Sequence, residues 1–359
     1  MNRRAFVVAG LLSAVGRPAS AAPVDLGPDL DRFRRTNGFP GVTAIVVRRG
    51  QVVAQGVAGV RAAGGSDAVR LGDPFVIGSC GKAITATLAA RLVEAGKILF
   101  GSTLESVFPD LRGIMRREYR AVTLEALLAH RSGLPDWPPG FSIGLSGTPA
   151  EQRRRLLPLA LQLPPVGTPL RDYRYSSVGY AVAGAMLEKV TGEAFESLTQ
   201  KRVFAPLGMG SAGFFAPTGN APRGHTASGQ PVAASSSLYP PRAGSPAGLY
   251  HVNMADWVRF ARVHLGLGPA GFLSASTLTR LQRPWPGGGE RYALGWHVRS
   301  RSYGTELSHN GSDGLWSAQA TLVPGKDHAI LLATNILNAR AAEAADALRD
   351  SLRGRFPAT

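Results

Sequence analysis

Ser79 and Lys82 stand three residues apart, just after the apolar run Phe75-Val76-Ile77 and Gly78. The run reads as a short buried strand entered from the turn at Asp73-Pro74, and Gly78 allows a sharp change of direction. From Ser79 onward Ile84, Leu88 and Leu92 recur on one helical face, with a stop at Gly96. Ser79 is therefore expected at a helix N-terminus, where unpaired backbone N–H groups and the helix dipole favour developing negative charge. Lys82 lies one turn along the same face, so its amine can approach the Ser79 hydroxyl. A serine at neutral pH needs a neighbour to take its proton, and a desolvated lysine can do so. The same four residues also fit a capping serine followed by an exposed lysine.

The elements around this stretch divide by character. Near the N-terminus an amphipathic helix is expected over 26–36. Strands follow at Val42 to Val47 and Val52 to Val60, joined by a bend at Arg48-Arg49-Gly50-Gln51. From 101 to 246 helical patterns dominate: Thr123 to Leu128, Glu151 to Leu163 (crossed by Pro158) and Ser177 to Thr191. Residues 216–246, rich in Pro, Gly and Ser, read as a long ordered loop. Helices at 254–265 and 274–282 come next. Strands then return at 293–299, 305–308, 318–323 and 328–334, and a closing helix spans 340–353. Strands at both ends and helices between imply an α+β fold. One antiparallel sheet would be built from both termini (23–100 and 247–359), covered by helices, with an inserted helical lobe at 101–246.

Composition narrows the function. The chain has 359 residues, 44% hydrophobic and 18% charged, enough for a large core. Net charge is +16, but 35 of the 40 basic residues are arginines scattered along the chain. The clusters Arg116-Arg117 and Arg153-Arg154-Arg155 are short and lack interleaved aromatics, which argues against a nucleic-acid surface. One cysteine, Cys80, excludes an internal disulfide framework, and in the first helical turn it points away from the Ser79/Lys82 face. The Asp, Glu and His spacing carries no metal signature, and no Gly-rich dinucleotide loop follows a strand, so no cofactor is implied.

Residues 1–22 read as an export signal, with Arg3 and Arg4, an apolar segment from Ala5 to Val15 and small residues at 19–22. Asn2-Arg3-Arg4-Ala5-Phe6-Val7 resembles a twin-arginine signal, which would place the mature protein in the periplasm or outside the cell. Its removal would take away three arginines and no acids, leaving +13. No apolar run approaches membrane-spanning length.

Ser79-Cys80-Gly81-Lys82, Tyr175-Ser176-Ser177 and His309-Asn310-Gly311 resemble, in order and spacing, the three active-site motifs of serine β-lactamase-like hydrolases. That family includes class C β-lactamases, D-alanyl-D-alanine carboxypeptidases, D-aminopeptidases and family VIII carboxylesterases. The likeness extends to Phe39-Pro40-Gly41-Val42, to the stretch from Leu127 to Leu134, and to Pro206-Leu207-Gly208-Met209, Ala247-Gly248-Leu249 and Leu294-Gly295-Trp296. It implies that Ser79 is a nucleophile forming an acyl-enzyme, with Lys82 its proton partner. Tyr175 would share general-base work and protonate the leaving group, and needs a cation such as Lys82 to lower its pKa. His309, Asn310 and Gly311 would line the substrate on an edge strand. The N–H groups of Ser79 and Ser312 would form the oxyanion hole.

Two departures stand out. Ser177 replaces the usual asparagine of the second motif and is too short to span the same distance. His309 replaces the lysine with which most β-lactamases attract a carboxylate, and histidine carries less charge at pH 7. Both changes favour esters or amides, in a small molecule or short peptide, over β-lactams. The alternatives are a β-lactamase, or a non-turnover penicillin-binding sensor or scaffold on the same fold, the latter kept open by Ser177. In this family the segment at His130 is a structural helix end, so His130 is expected to cap rather than catalyse. Asp136, Asp172 and Asp313 are the carboxylates nearest the motifs, though the mechanism needs no third acid.

Overall fold

The computed structural model describes residues 22–137, 146–287 and 289–359. Ten strands are present: β1 (Val24–Asp25), β2 (Gly41–Arg48), β3 (Gln51–Gly59), β4 (Phe75–Val76), β5 (Gly213–Phe214), β6 (Tyr250–Val252), β7 (His297–Arg301), β8 (Gly304–Ser312), β9 (Ser317–Val323) and β10 (His328–Thr334). Seven form one sheet in the order β1-β3-β2-β10-β9-β8-β7. The N-terminal hairpin therefore sits beside the last strand, with Val42 opposite Thr334, so both chain ends build the sheet. All pairs in it are antiparallel except the two-residue edge β1, which runs parallel to β3.

The β2–β3 hairpin turns as its sequence requires. Arg49 and Gly50 both take left-handed φ (50° and 70°), the geometry of a two-residue turn matched to strand twist. β2, β9 and β10 are buried almost throughout, because helices cover both faces. Alternation of side chains along β2 divides two cores. Ala44 and Val46 pack with Ile330 and Leu332 under the terminal helices Gly27–Asn37 and Ala339–Arg355. Ile45 and Val47 join Leu331 in the larger core shared with helix Lys82–Glu94. Asn338 caps the last helix by accepting the Ala341 N–H at 2.7 Å.

Between the sheet-forming segments lie the helices Leu104–Val107, Leu124–Leu128, Pro149–Ala160, Ser177–Thr191 and Phe195–Thr199. The Ser177–Thr191 helix has the expected bounds, capped by Ser176 and stopped by Gly192 at φ 73°. Several boundaries differ from expectation. The strand expected at 293–299 begins only at His297, and β8 runs on through the whole third motif to Ser312. The loop at 216–246 is tied down by His225, whose Nδ1 meets the Asn335 carbonyl at 2.6 Å while Nε2 accepts the Ala63 N–H at 2.9 Å.

A second, three-stranded sheet in the order β4-β6-β5 is absent from the sequence expectation, because strands of two or three residues carry no periodic signal. It fixes the start of the Ser79 stretch: Phe75 pairs with Val252, and the Ile77 N–H donates to the Tyr250 carbonyl at 2.9 Å.

Candidate active site

Ser79 does not open the α-helix itself. It sits in a 3₁₀ turn, Gly78–Gly81, and the α-helix begins at Lys82. Gly78 takes φ 51°, and a Cβ there would lie 2.1 Å from the Ser312 nitrogen. A Cβ on Gly311 would lie 2.0 Å from the Ile77 carbonyl oxygen and 2.9 Å from the Ser79 nitrogen. Gly248, at φ 149°, leaves its Cβ position 2.8 Å from the same nitrogen. Three glycines thus let three backbone segments close around Ser79. They bring Ser312 and Ser79 side by side, as an oxyanion pair requires.

Lys82 is fully buried. Its Nζ donates to Ser79 Oγ at 3.0 Å and to the Ala247 carbonyl at 2.6 Å, and lies 4.8 Å from the centre of the Tyr175 ring and 5.3 Å from that of Tyr180. Burial pulls its pKa down to about 7, against the opposing pull of the Asp136 carboxylate. A large fraction of Lys82 is therefore neutral near pH 7, able to accept the Ser79 proton. Tyr175 differs from expectation. Burial pushes its phenol well above the ordinary range, partly offset by its contact with the Ser79 hydroxyl. That shift favours the protonated phenol beside Ser79, against the lowered pKa expected of a general base.

His309 is buried with both ring nitrogens engaged: Nδ1 lies 2.6 Å from the Asn310 carbonyl, and Nε2 lies 3.0 Å from the Tyr292 hydroxyl. The carbonyl requires a proton on Nδ1, so Nε2 accepts from Tyr292. Burial, with Lys82 nearby, holds the imidazole well below its usual pKa. His309 is therefore a neutral wall group. Asn310 points to the opposite face of β8, into a groove of about 330 Å³ that Tyr175, His309 and Arg299 also line.

Ser177 donates its backbone N–H to Asp136 Oδ1 at 2.8 Å. Asp136 is exposed, yet its charge acts on both Lys82 and Tyr175. The Asp136 carboxylate thus holds the backbone of Ser177, the residue that stands in place of the usual asparagine. Asp172 lies apart, accepting the Thr168 N–H at 2.8 Å beside Arg171. Asp313 packs just beyond Ser312, its Oδ1 accepting the N–H groups of Leu315 and Trp316. Cys80 is buried on the far side, its Sγ 3.1 Å from the His309 carbonyl, and burial pushes its thiol up, so it is inert.

His130 follows the Leu124–Leu128 helix in a left-handed conformation (φ 58°), as a helix-end residue can. It also does more than close a helix. Its Nδ1 accepts the Ser176 N–H at 3.1 Å, and its ring lies 4.2 Å from that of Tyr175 and 4.7 Å from that of Tyr292. It supports the second motif directly, a role its position in sequence, 45 residues before Tyr175, does not signal. Tyr180 and Tyr292 were likewise not anticipated, since a tyrosine in an apolar pattern reads as core. The sequence also suggests pocket walls drawn from 137–147 and 216–246, and residues 138–145 of the first lie outside the described structure.

The chain is similar to known proteins. Penicillin-binding protein 4 of Amycolatopsis lactamdurans is 27% identical over 85% of this chain and 83% of its own. Esterase EstB of Burkholderia gladioli is 26% identical over 56% of this chain and 54% of its own. Among solved structures, a D-alanine carboxypeptidase AmpC from Burkholderia cenocepacia superposes with a TM-score of 0.73 over 89% of this chain and 96% of that one, at 21% identity, a likeness of fold. The sequence profile of the Beta-lactamase family matches residues 29–353, and the chain belongs to that family.

Proposed function

We propose that the protein is an exported serine hydrolase that cleaves ester or amide bonds through an acyl-enzyme on Ser79. The observation that carries this is the buried Lys82 amine, 3.0 Å from Ser79 Oγ and held near pKa 7. Neutral Lys82 takes the hydroxyl proton as Oγ adds to the substrate carbonyl. The resulting oxyanion faces the N–H groups of Ser79 and Ser312. Tyr175 gives its proton to the leaving oxygen or nitrogen, and the proton held by Lys82 restores it. Water then repeats the sequence on the ester, releasing the acid and freeing Ser79.

Ester or amide substrates are favoured over β-lactams because His309 is neutral and occupied by Tyr292. It offers no cation to a β-lactam carboxylate. Named relatives of both kinds, an esterase and penicillin-binding proteins, agree with acyl transfer as the shared chemistry. Export rests on residues 1–22, nearly all outside the described structure.

Intact-protein mass and absorbance, followed together, test the reading. With a short-chain p-nitrophenyl ester, wild type should turn over many equivalents and leave no lasting adduct, while Ser79→Ala should lose at least a thousandfold in rate and keep its fold. Equal turnover by the two proteins would refute the assignment. A lasting adduct with a penicillin would instead favour a penicillin-binding protein that deacylates slowly, consistent with Ser177 in the second motif.

A further inference from the structure

A cavity of about 450 Å³ lies between the 216–246 loop and the end of β8, its wall reaching the segments that pack around Ser79. Three of its wall residues adjoin the catalytic backbone. Val76 precedes the Gly78–Gly81 turn, Leu249 follows the Gly248 that packs on the Ser79 nitrogen, and Asp313 follows Ser312. Its size suits an amino-acyl or dipeptide-sized group.

The charge of this cavity is unusual. Asp313 is the one acid in its lining, and the carboxylate is aimed by backbone: Oδ1 accepts from Leu315 at 3.0 Å and from Trp316 at 3.1 Å. No Lys or Arg pairs with it among the described residues. Largely withdrawn from water, an unpaired carboxylate is costly, and a cation entering the cavity relieves that cost. The one cation of the lining, Arg242, is instead held over the Phe215 ring, 4.9 Å from its centre. Ser235, Ser236 and Ser237 supply further polar groups.

We propose that this cavity receives the acyl part of the substrate and that Asp313 binds a primary ammonium there. The preferred substrates are accordingly amino-acyl amides or esters with a free amine. The proposal rests on Ser79 being the nucleophile, because the cavity takes its meaning from reaching the segments around that residue.

The test compares alanine p-nitroanilide with N-acetylalanine p-nitroanilide, in D and L series, for wild type and Asp313→Asn. Asparagine keeps the acceptor for Leu315 and Trp316 and removes only the charge. In at least one series wild type should prefer the free amine by tenfold or more in kcat/KM, and the variant should lose most of that preference. The ratio is internal to each sample and independent of how much protein folds. Calorimetry with alaninamide and N-acetylalaninamide on Ser79→Ala, with and without Asp313→Asn, reads binding alone. A preference unchanged by the substitution, or equal binding of the two amides, overturns the proposal. p-Nitrophenyl acetate carries no amine and reports on Ser79 alone. If wild type leaves it intact, the nucleophile assignment falls, and calorimetry still decides the ammonium site.

Discussion

Lys82 sits in an environment far from what its type prefers. A lysine with no exposed surface is held near pKa 7, against about 10.4 in an unfolded chain. Between those values the unfolded chain binds a proton that the folded protein does not, so folding stability should rise with pH from 7 toward 10. Lys82→Met keeps the volume and removes the buried amine. It should abolish ester turnover, raise the thermal midpoint at pH 7, and flatten the rise in stability between pH 7 and 9. Unfolding of both proteins at the two pH values checks this. A variant less stable than wild type at pH 7 would mean that the bonds to Ser79 and Ala247 outweigh the desolvation cost. Catalysis should follow the same group, with kcat/KM climbing through about pH 7 as Lys82 loses its proton.

At the scale of elements, the site depends on how closely β8 approaches the Gly78–Gly81 turn. Gly311 is the contact point, with the Ile77 carbonyl and the Ser79 and Cys80 nitrogens around its Cβ position. Backbone atoms cannot step aside as a flexible side chain can. Gly311→Ala should therefore part the strand from the turn, costing about 3 kcal/mol and reducing turnover by more than a hundredfold. Gly210→Ala, where nothing lies within 4 Å, serves as the control and should leave both nearly unchanged. Urea unfolding with parallel ester kinetics measures the pair. A fully active Gly311→Ala protein would show that the close approach is incidental.

Across the whole molecule, one buried arginine links four elements to the site. Arg153, on helix Pro149–Ala160, reaches Glu188 at 2.6 and 3.1 Å, Glu196 at 2.9 Å and Ser245 at 2.7 Å. These partners lie on the helices Ser177–Thr191, Phe195–Thr199 and Ser245–Gly248. The last of these presents the Ala247 carbonyl to Lys82, so the network bears on the position of the Lys82 amine from a distance. Arg153→Ala would strand two mostly buried carboxylates, a loss of about 3 kcal/mol. Turnover should fall with it, because the Ala247 segment loses its anchor. Arg153→Lys should recover only part of either, since an ammonium cannot reproduce the forked contacts to two carboxylates. An unchanged unfolding midpoint in Arg153→Ala would refute this account.

Much of the molecule was legible in the chain. The α+β arrangement followed from strand patterns at both ends, because a half-buried strand or helix must repeat its apolar residues at a fixed period. Ser79 and Lys82 were legible because three residues of spacing within one helical turn fix their proximity locally; the structure places them 3.0 Å apart. The motifs at Tyr175 and at His309 to Ser312 were found by resemblance, and their geometry came only with the fold. Tertiary structure alone decided which group is neutral: Lys82, His130 and His309 are shifted chiefly by burial, and burial is a sum over segments far apart in sequence. It also placed Asp136 and His130 against the second motif and Tyr292 against His309. Their neighbours come from contacts across 41 positions for Asp136 and Ser177 and 46 for His130 and Ser176. Periodicity records which side of an element is buried, but not which distant side chain meets it there.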